Sequence, residues 1–185
     1  ASRPAVFSLL LLISSTPVFG QAVISSPDGR KQVTAVQAAT PITIDGTLDE
    51  EAWTKAPVAT GFIQADPLEG QPASEDTEVR LAYDGDYLYI GVLCRDATPS
   101  AIVVNEIRKD FGGRDQDTFE VMLDTFGDRR NGFVFATNAK GAKADTQIAN
   151  EGRDVNTNWD AVWWVQAHTT DDGWTAEFRI PIKTL

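Results

Sequence analysis

A short acidic stretch at residues 115–124 carries the side chains that are best placed to do chemistry. It has the sequence DQDTFEVMLD, in which a loop with two carboxylates, Asp115 and Asp117, leads into an alternating pattern typical of a strand. The alternation places Glu120 on the polar face of that strand, where rigid backbone fixes its position. We therefore predict a site here that binds a cation or the hydroxyl groups of a sugar.

Glu120 is unusual because glutamate is depleted in strands. On a plain solvent-facing sheet its carboxylate would need no explanation. On a concave face it is expected to accept two sugar hydroxyls in a bidentate contact, which planar carboxylates favour. Four arginines are candidate partners for it: Arg108, Arg114, Arg129 and Arg130.

Two acidic pairs in loops are candidate metal ligands. Asp84 and Asp86 flank a glycine in a turn pattern, and Asp115 and Asp117 precede the acidic strand. Calcium takes six to eight oxygen ligands from loops of this kind. We expect calcium as the cofactor, with these four aspartates as ligands. Solvated turn residues are the alternative, since none of the loops has an EF-hand pattern.

Five tryptophans are many for 185 residues, and an indole face can bury the apolar side of a pyranose ring. Trp159 lies in a polar loop, where ligand contact and packing under the loop are both open. Trp163 and Trp164 point to opposite faces of one predicted strand, so one of them leaves the core. Trp53 and Trp174 are predicted to pack inside. The predicted carbohydrate-binding residues are Glu120, Arg114, Trp159 and Trp164.

Composition excludes several classes of function. Sixteen basic and 27 acidic residues give a net charge of -11, which argues against a nucleic-acid partner because phosphate binding needs basic patches. Cys94 is the only cysteine, so no intrachain disulfide forms, and we predict a buried, inert thiol. His168 is the only histidine, which excludes multi-histidine zinc sites and weakens any histidine-based triad.

Short strand patterns dominate the chain from residue 41 onward. Residues 79–83 and 88–94 predict a hairpin, and further strands are expected near 119–123, 131–137, 161–167 and 174–180. A capping box of Thr47 and Glu50 predicts a short helix that ends before Pro57. Strands at this spacing, with Gly and Asp turns, predict an all-β, antiparallel, jelly-roll-like β-sandwich.

The N-terminus has the features of an export signal. Arg3 precedes an apolar run at residues 5–13 that is too short to span a membrane, and small residues follow near position 20. We predict a signal peptide at residues 1–20, a linker or arm at 21–40, and one folded domain at 41–185. The protein is expected in the periplasm, the outer membrane or the extracellular space.

Several of these segments resemble a known family in order and spacing. Residues 42–53, 81–84 with 88–90, 117–124 and 173–181 are similar to the family 9 carbohydrate-binding module-like domains. Residues 126–131 and 158–163 resemble a bacterial subgroup in which this domain precedes a region like an outer-membrane β-barrel of unknown function.

The resemblance implies a sugar-binding β-sandwich, often with structural calcium, within polysaccharide-degrading proteins. In characterised members, a tryptophan before the acidic motif and a second one near the C-terminus enclose the sugar, and a glutamate at the position of Glu120 contacts its hydroxyls. Here Arg114 stands at the first tryptophan position, and the second is expected beyond Leu185.

We therefore predict a non-catalytic carbohydrate-binding module that serves polysaccharide binding or degradation. Two alternatives remain open at this point. One is a structural domain that docks on a partner β-barrel without binding sugar, which the replaced tryptophan favours. The other is a glycoside hydrolase, which needs two carboxylates about 5 to 10 Å apart across a cleft.

Overall fold

The computed structural model describes residues 24–25, 31–112 and 115–185, which form an all-β sandwich with one short helix. The predicted fold class is confirmed. The helix, α1, spans Glu51–Lys55. The strands are β1 Ile24–Ser25, β2 Lys31–Gln32, β3 Val36–Gln37, β4 Thr77–Tyr83, β5 Tyr87–Arg95, β6 Thr118–Leu123, β7 Gly132–Asn138, β8 Lys143–Ala149, β9 Asp154–Asn156, β10 Trp164–Thr170 and β11 Gly173–Pro181. No helix in this part of the chain is long and apolar enough to cross a membrane.

Two sheets make up the sandwich. One has five strands in the order β10-β11-β5-β4-β3, and the other has four in the order β6-β7-β8-β9. Neighbouring strands run antiparallel, except that β3 runs parallel to β4. The predicted hairpin at 79–94 is the β4–β5 pair. Its turn is held by Asp84, whose Oδ1 accepts the N–H groups of Asp86 and Tyr87, both at 2.8 Å.

The hydrophobic core lies between the two sheets and is rich in aromatic side chains. Trp163 stacks on Phe178 with ring centroids 5.7 Å apart and meets Phe135 edge-on at 5.2 Å. Trp174 is also buried here, as predicted. Buried rings of this size contribute a large share of core stability. Cys94 packs against the same core, where burial raises the pKa of its thiol to about 12.

The structure differs from the sequence-based expectations at the N-terminal side. Val36–Gln37, predicted to belong to a linker, adds a parallel strand to the edge of β4. The predicted capping box is wrong, because α1 begins after Glu50 and no side chain caps it. Instead, Oε1 of Glu50 accepts the backbone N–H of Thr43 at 2.9 Å. Glu50 thereby holds the extended chain that precedes the helix, and it does not cap the first helical turn.

One central strand escaped prediction. β8, with the sequence KADTQIA, lies between β7 and β9. Its composition gives a weak strand signal, since Lys, Ala, Asp and Gln all have low β propensity. Its conformation is fixed by its two neighbours, and Phe135 of β7 lies opposite Asp145 in the register.

Candidate functional site

The outer face of the four-stranded sheet carries the predicted glutamate. Glu120 is exposed on β6, and its carboxylate makes no hydrogen bond or ion pair with any residue that the structure describes. In register, it lies beside Ala136 of β7, which in turn lies beside Ala144 of β8. We call this surface the open face. It consists of Glu120, Met122, Val134, Ala136, Ala144, Thr146 and Ile148.

Small side chains beside Glu120 create a shelf on the open face. A pocket of about 240 Å³ lies between Glu120, Phe111 and the two alanines, Ala136 and Ala144. Phe111 is buried against these alanines and forms one wall. The carboxylate therefore stands next to a recess with an apolar floor, in which its two oxygens remain free to accept hydroxyl protons.

A second pocket continues the open face toward the β6–β7 turn. It has a volume of about 460 Å³ and is lined by Met122 and Ile148, by the turn residues Asp124, Arg129, Arg130 and Asn131, and by Glu151 and Gly152 of the β8–β9 turn. Asp124 shapes this turn, because its Oδ2 accepts the N–H of Arg129 at 2.7 Å. Arg130 is ion-paired to Glu151 at 3.4 Å. The pocket thus offers hydrogen-bond donors and acceptors next to apolar surface, which is what a sugar ring requires.

The predicted aromatic partners lie elsewhere. Trp159 stacks on Phe133 with centroids 4.7 Å apart and contacts Phe135 edge-on, so it packs against the core. Trp164 lies on the five-stranded sheet, whose outer face is on the other side of the sandwich. Arg114 lies outside the described residues. The structure therefore does not assemble Glu120, Trp159 and Trp164 into one site.

Two of the four predicted calcium ligands, Asp84 and Asp117, already accept hydrogen bonds within the protein through their carboxylates. Besides the two turn N–H groups, Asp84 accepts the hydroxyl of Tyr89 at 2.8 Å. Asp117 accepts the N–H of Val103 at 2.7 Å, and the backbone carbonyl of Asp115 accepts the amide of Asn105. Within residues 24–25, 31–112 and 115–185, no three His, Cys, Asp or Glu side chains group so that they could hold a metal ion. The four aspartates do not fit a calcium site as they stand, and calcium binding stays a prediction.

Comparison with known proteins shows the family to which the chain belongs. A model of the carbohydrate family 9 binding domain-like family matches residues 44–185. The chain belongs to this family. Membership in a family of non-catalytic binding modules agrees with the prediction that the domain is not an enzyme. Comparison with curated proteins finds no match.

Two solved structures share the fold of this family 9 domain. A family 9 carbohydrate binding module from Caldicellulosiruptor kristjanssonii, solved with cellotriose, is 19% identical with a TM-score of 0.51 and covers 80% of this chain. A structure of such a module from the same organism, solved with glucose, is 20% identical with a TM-score of 0.53 and also covers 80%. The present chain spans 66% and 68% of those two chains.

The family 9 domain also contains an ammonium group that sequence reasoning missed. Lys109 Nζ lies 2.9 Å from Asp110 and 3.2 Å from both Asp145 and Asp160. Burial lowers the pKa of Lys109, but the three carboxylates outweigh it and raise the pKa above its ordinary value. Asp145 is fully buried, and its other oxygen accepts the N–H of Ala161 at 2.6 Å. Because Asp145 and Asp160 are far from Lys109 in sequence, no local pattern indicates the cluster.

A second missed group is Glu177, which holds the chain before β4 onto the five-stranded sheet. Residues 42–53, which we call the covering segment, lie over the outer face of this sheet. Glu177 Oε2 accepts the N–H groups of Asp45 and Gly46 at 2.9 and 2.8 Å, and Oε1 accepts the indole N–H of Trp53 at 2.8 Å. Thr175 donates its hydroxyl to the Gly46 carbonyl at 2.6 Å.

The buried carboxylate of Glu177 has a perturbed acidity. Burial raises its pKa to about 7, against the lowering effect of its three N–H donors, and the nearby charge of Glu50 adds to the increase. Such a shift often marks a functional site. Here both oxygens already accept hydrogen bonds from the covering segment, so the role of Glu177 is to hold the fold together.

Proposed function

We propose that this family 9 domain binds carbohydrate on the open face, without catalysis, and that Glu120 accepts hydroxyl protons of the sugar. The observation that carries the proposal is the free carboxylate on rigid backbone. Glu120 is exposed, lacks a protein partner among the described residues and adjoins a recess of about 240 Å³. A strand-borne acceptor next to a small-residue shelf is preorganised, so little conformational entropy is lost on binding.

The chemistry of the two pockets supports a ring with hydroxyl groups. Ala136, Ala144 and Met122 provide an apolar floor. Glu120 and Asp124 provide hydrogen-bond acceptors, and Arg129 provides donors. The side chain of Arg129 is not tied up in an ion pair within the part of the chain that the structure describes. The relatives solved with cellotriose and glucose suggest β-linked glucose units as the first ligands to test.

The cellular setting is part of the same proposal. We propose that the domain works outside the cytoplasm, in the periplasm, the outer membrane or the extracellular space, within a protein that takes part in polysaccharide degradation. The apolar run at residues 5–13 supports export. A C-terminal β-barrel is the proposed intramolecular partner. Fractionation of cells that express the full gene product tests whether the protein leaves the cytoplasm and whether it is found in the outer membrane. Recovery in the cytosol would refute export.

Binding to cellotriose tests the function directly. The expected result is saturable binding by the intact chain in isothermal titration calorimetry, with affinity about 10- to 100-fold lower in Glu120→Gln. The reason is that a hydrogen bond to a charged acceptor contributes about 1.5–3 kcal/mol. Glu69→Gln is the matched control, since Glu69 is an exposed carboxylate in the loop between α1 and β4. The affinity of this variant should equal that of the unmodified chain.

Two outcomes would contradict the proposal. One is a folded chain that binds none of a panel of neutral oligosaccharides. The other is equal affinity in Glu120→Gln and Glu69→Gln, which would move the site away from the open face.

A further inference from the structure

Arg179 has an unusual setting on the outer face of the five-stranded sheet. Its guanidinium carbon lies 4.2 Å from the ring centroid of Trp164 and 5.2 Å from that of Tyr87. Trp164 is its direct neighbour across the β10–β11 pair. The two rings meet edge-on with centroids 6.1 Å apart. Cation–π contacts on two sides hold the guanidinium in one orientation.

The charge of Arg179 has no ion-pair partner among the residues that the structure describes. Among the described residues, the buried Nε–H of Arg179 donates to no acceptor, and no carboxylate lies within 4 Å of the guanidinium. Asp84 is near enough for Arg179 to act on its pKa, but its oxygens already accept from Asp86, Tyr87 and Tyr89. In a chain with a net charge of -11, an immobilised arginine without an acid is an anion-binding group that lacks its anion.

A pocket opens beside this arginine. It has a volume of about 380 Å³ and is lined by residues 42–44 of the covering segment and by Trp164, Gln166 and Arg179. Trp164 is 39% exposed, so part of its ring is available to a ligand. The lining combines an aromatic ring, an amide, a hydroxyl and a guanidinium. These groups suit a polar ring that bears a negative charge.

We propose that this Arg179 pocket is a second binding site, and that it takes an acidic sugar whose carboxylate pairs with Arg179 while its ring lies against Trp164. The planar guanidinium matches a carboxylate in a two-point contact. An acidic peptide would satisfy Arg179 but leaves no role for the exposed indole. The site is on the opposite sheet from Glu120, and it does not depend on sugar binding at the open face.

Titration with two trisaccharides separates the two sites. Tri-galacturonic acid and cellotriose are added in turn to the isotope-labelled chain, and binding is followed by amide NMR shifts. We expect tri-galacturonic acid to shift the amides around Trp164 and Arg179. Its affinity should fall about 10- to 100-fold in Arg179→Gln, while Glu120→Gln leaves it unchanged. Arg108→Gln is the control for loss of a positive charge, because Arg108 is exposed and paired to Glu106.

Further variants guard against loss of folding and against charge effects alone. Arg179→Lys keeps the charge but not the two-point contact, and we expect it to weaken binding while preserving the amide spectrum. Trp164→Ala should weaken the binding of tri-galacturonic acid and leave the binding of a poly-glutamate peptide unchanged. The proposal is overturned if the folded chain does not bind tri-galacturonic acid, if Arg179→Gln and Arg108→Gln behave alike, or if poly-glutamate binds as tightly as the sugar.

Discussion

Glu120 and Glu177 lie on the outer faces of the two opposite sheets and have opposite environments. Each lies in the middle of a strand and points away from the sandwich core. Glu120 is exposed and free of protein partners among the described residues. Glu177 is 0% exposed and accepts three N–H groups. The difference arises because the covering segment lies directly over Glu177. On the other sheet, Phe111 packs on the alanines beside Glu120 but leaves the carboxylate exposed.

This contrast separates two uses of a carboxylate. A buried carboxylate with all its hydrogen bonds made inside the protein stabilises the fold, because removing it leaves N–H donors without acceptors. An exposed carboxylate on rigid backbone contributes little to stability and is available to a ligand. The open face is therefore the surface that we propose for binding, although it is Glu177 whose pKa is raised.

The largest effect is expected from removing Glu177. Glu177→Ala leaves the N–H groups of Asp45, Gly46 and Trp53 without acceptors, and we expect the free energy of unfolding to fall by about 3 kcal/mol or more. Denaturant titration measures this loss. Glu120→Ala is the matched change on the open face and should cost less than about 0.5 kcal/mol. Equal losses in the two variants would show that the covering segment does not depend on Glu177.

A smaller, pH-dependent difference follows from the raised pKa of Glu177. Between about pH 4.5 and the folded pKa of about 7, the folded state keeps a proton that the unfolded chain has released. Raising the pH in this window therefore favours unfolding. We expect the free energy of unfolding of the unmodified chain, measured relative to Glu177→Gln, to fall from pH 4.5 to pH 7 and then to level off. A constant difference across that window would contradict the shift.

The smallest effect is expected at the contact between the covering segment and the sheet. Gly91 leaves room for the segment, since an added Cβ would lie 3.0 Å from side-chain atoms of both Leu48 and Trp53. We expect Gly91→Ala to lower the free energy of unfolding by about 1 kcal/mol. Gly85→Ala is the control, because nothing lies within 4 Å of its Cβ position. A neutral Gly91→Ala would mean that the segment shifts at little cost.

Much of the sandwich was predictable from local pattern. The hairpin at 79–94 and the burial of Trp174 follow from alternation and turn residues, because strand period and Asx turns are local properties. β8 was missed, since its residues have low strand propensity and neighbouring strands fix its conformation. The capping box was wrong because Glu50 binds a backbone N–H that only the folded chain brings near it.

The sequence by itself determined the class of fold, the family and the presence of an outward-facing carboxylate at Glu120, because each depends on residue order or strand period. The tertiary structure alone decided which outward carboxylate is free, which tryptophan leaves the core and which arginine lacks an acid. Those properties depend on what covers each sheet. The packing of a distant segment such as 42–53 is a long-range contact that no local pattern encodes.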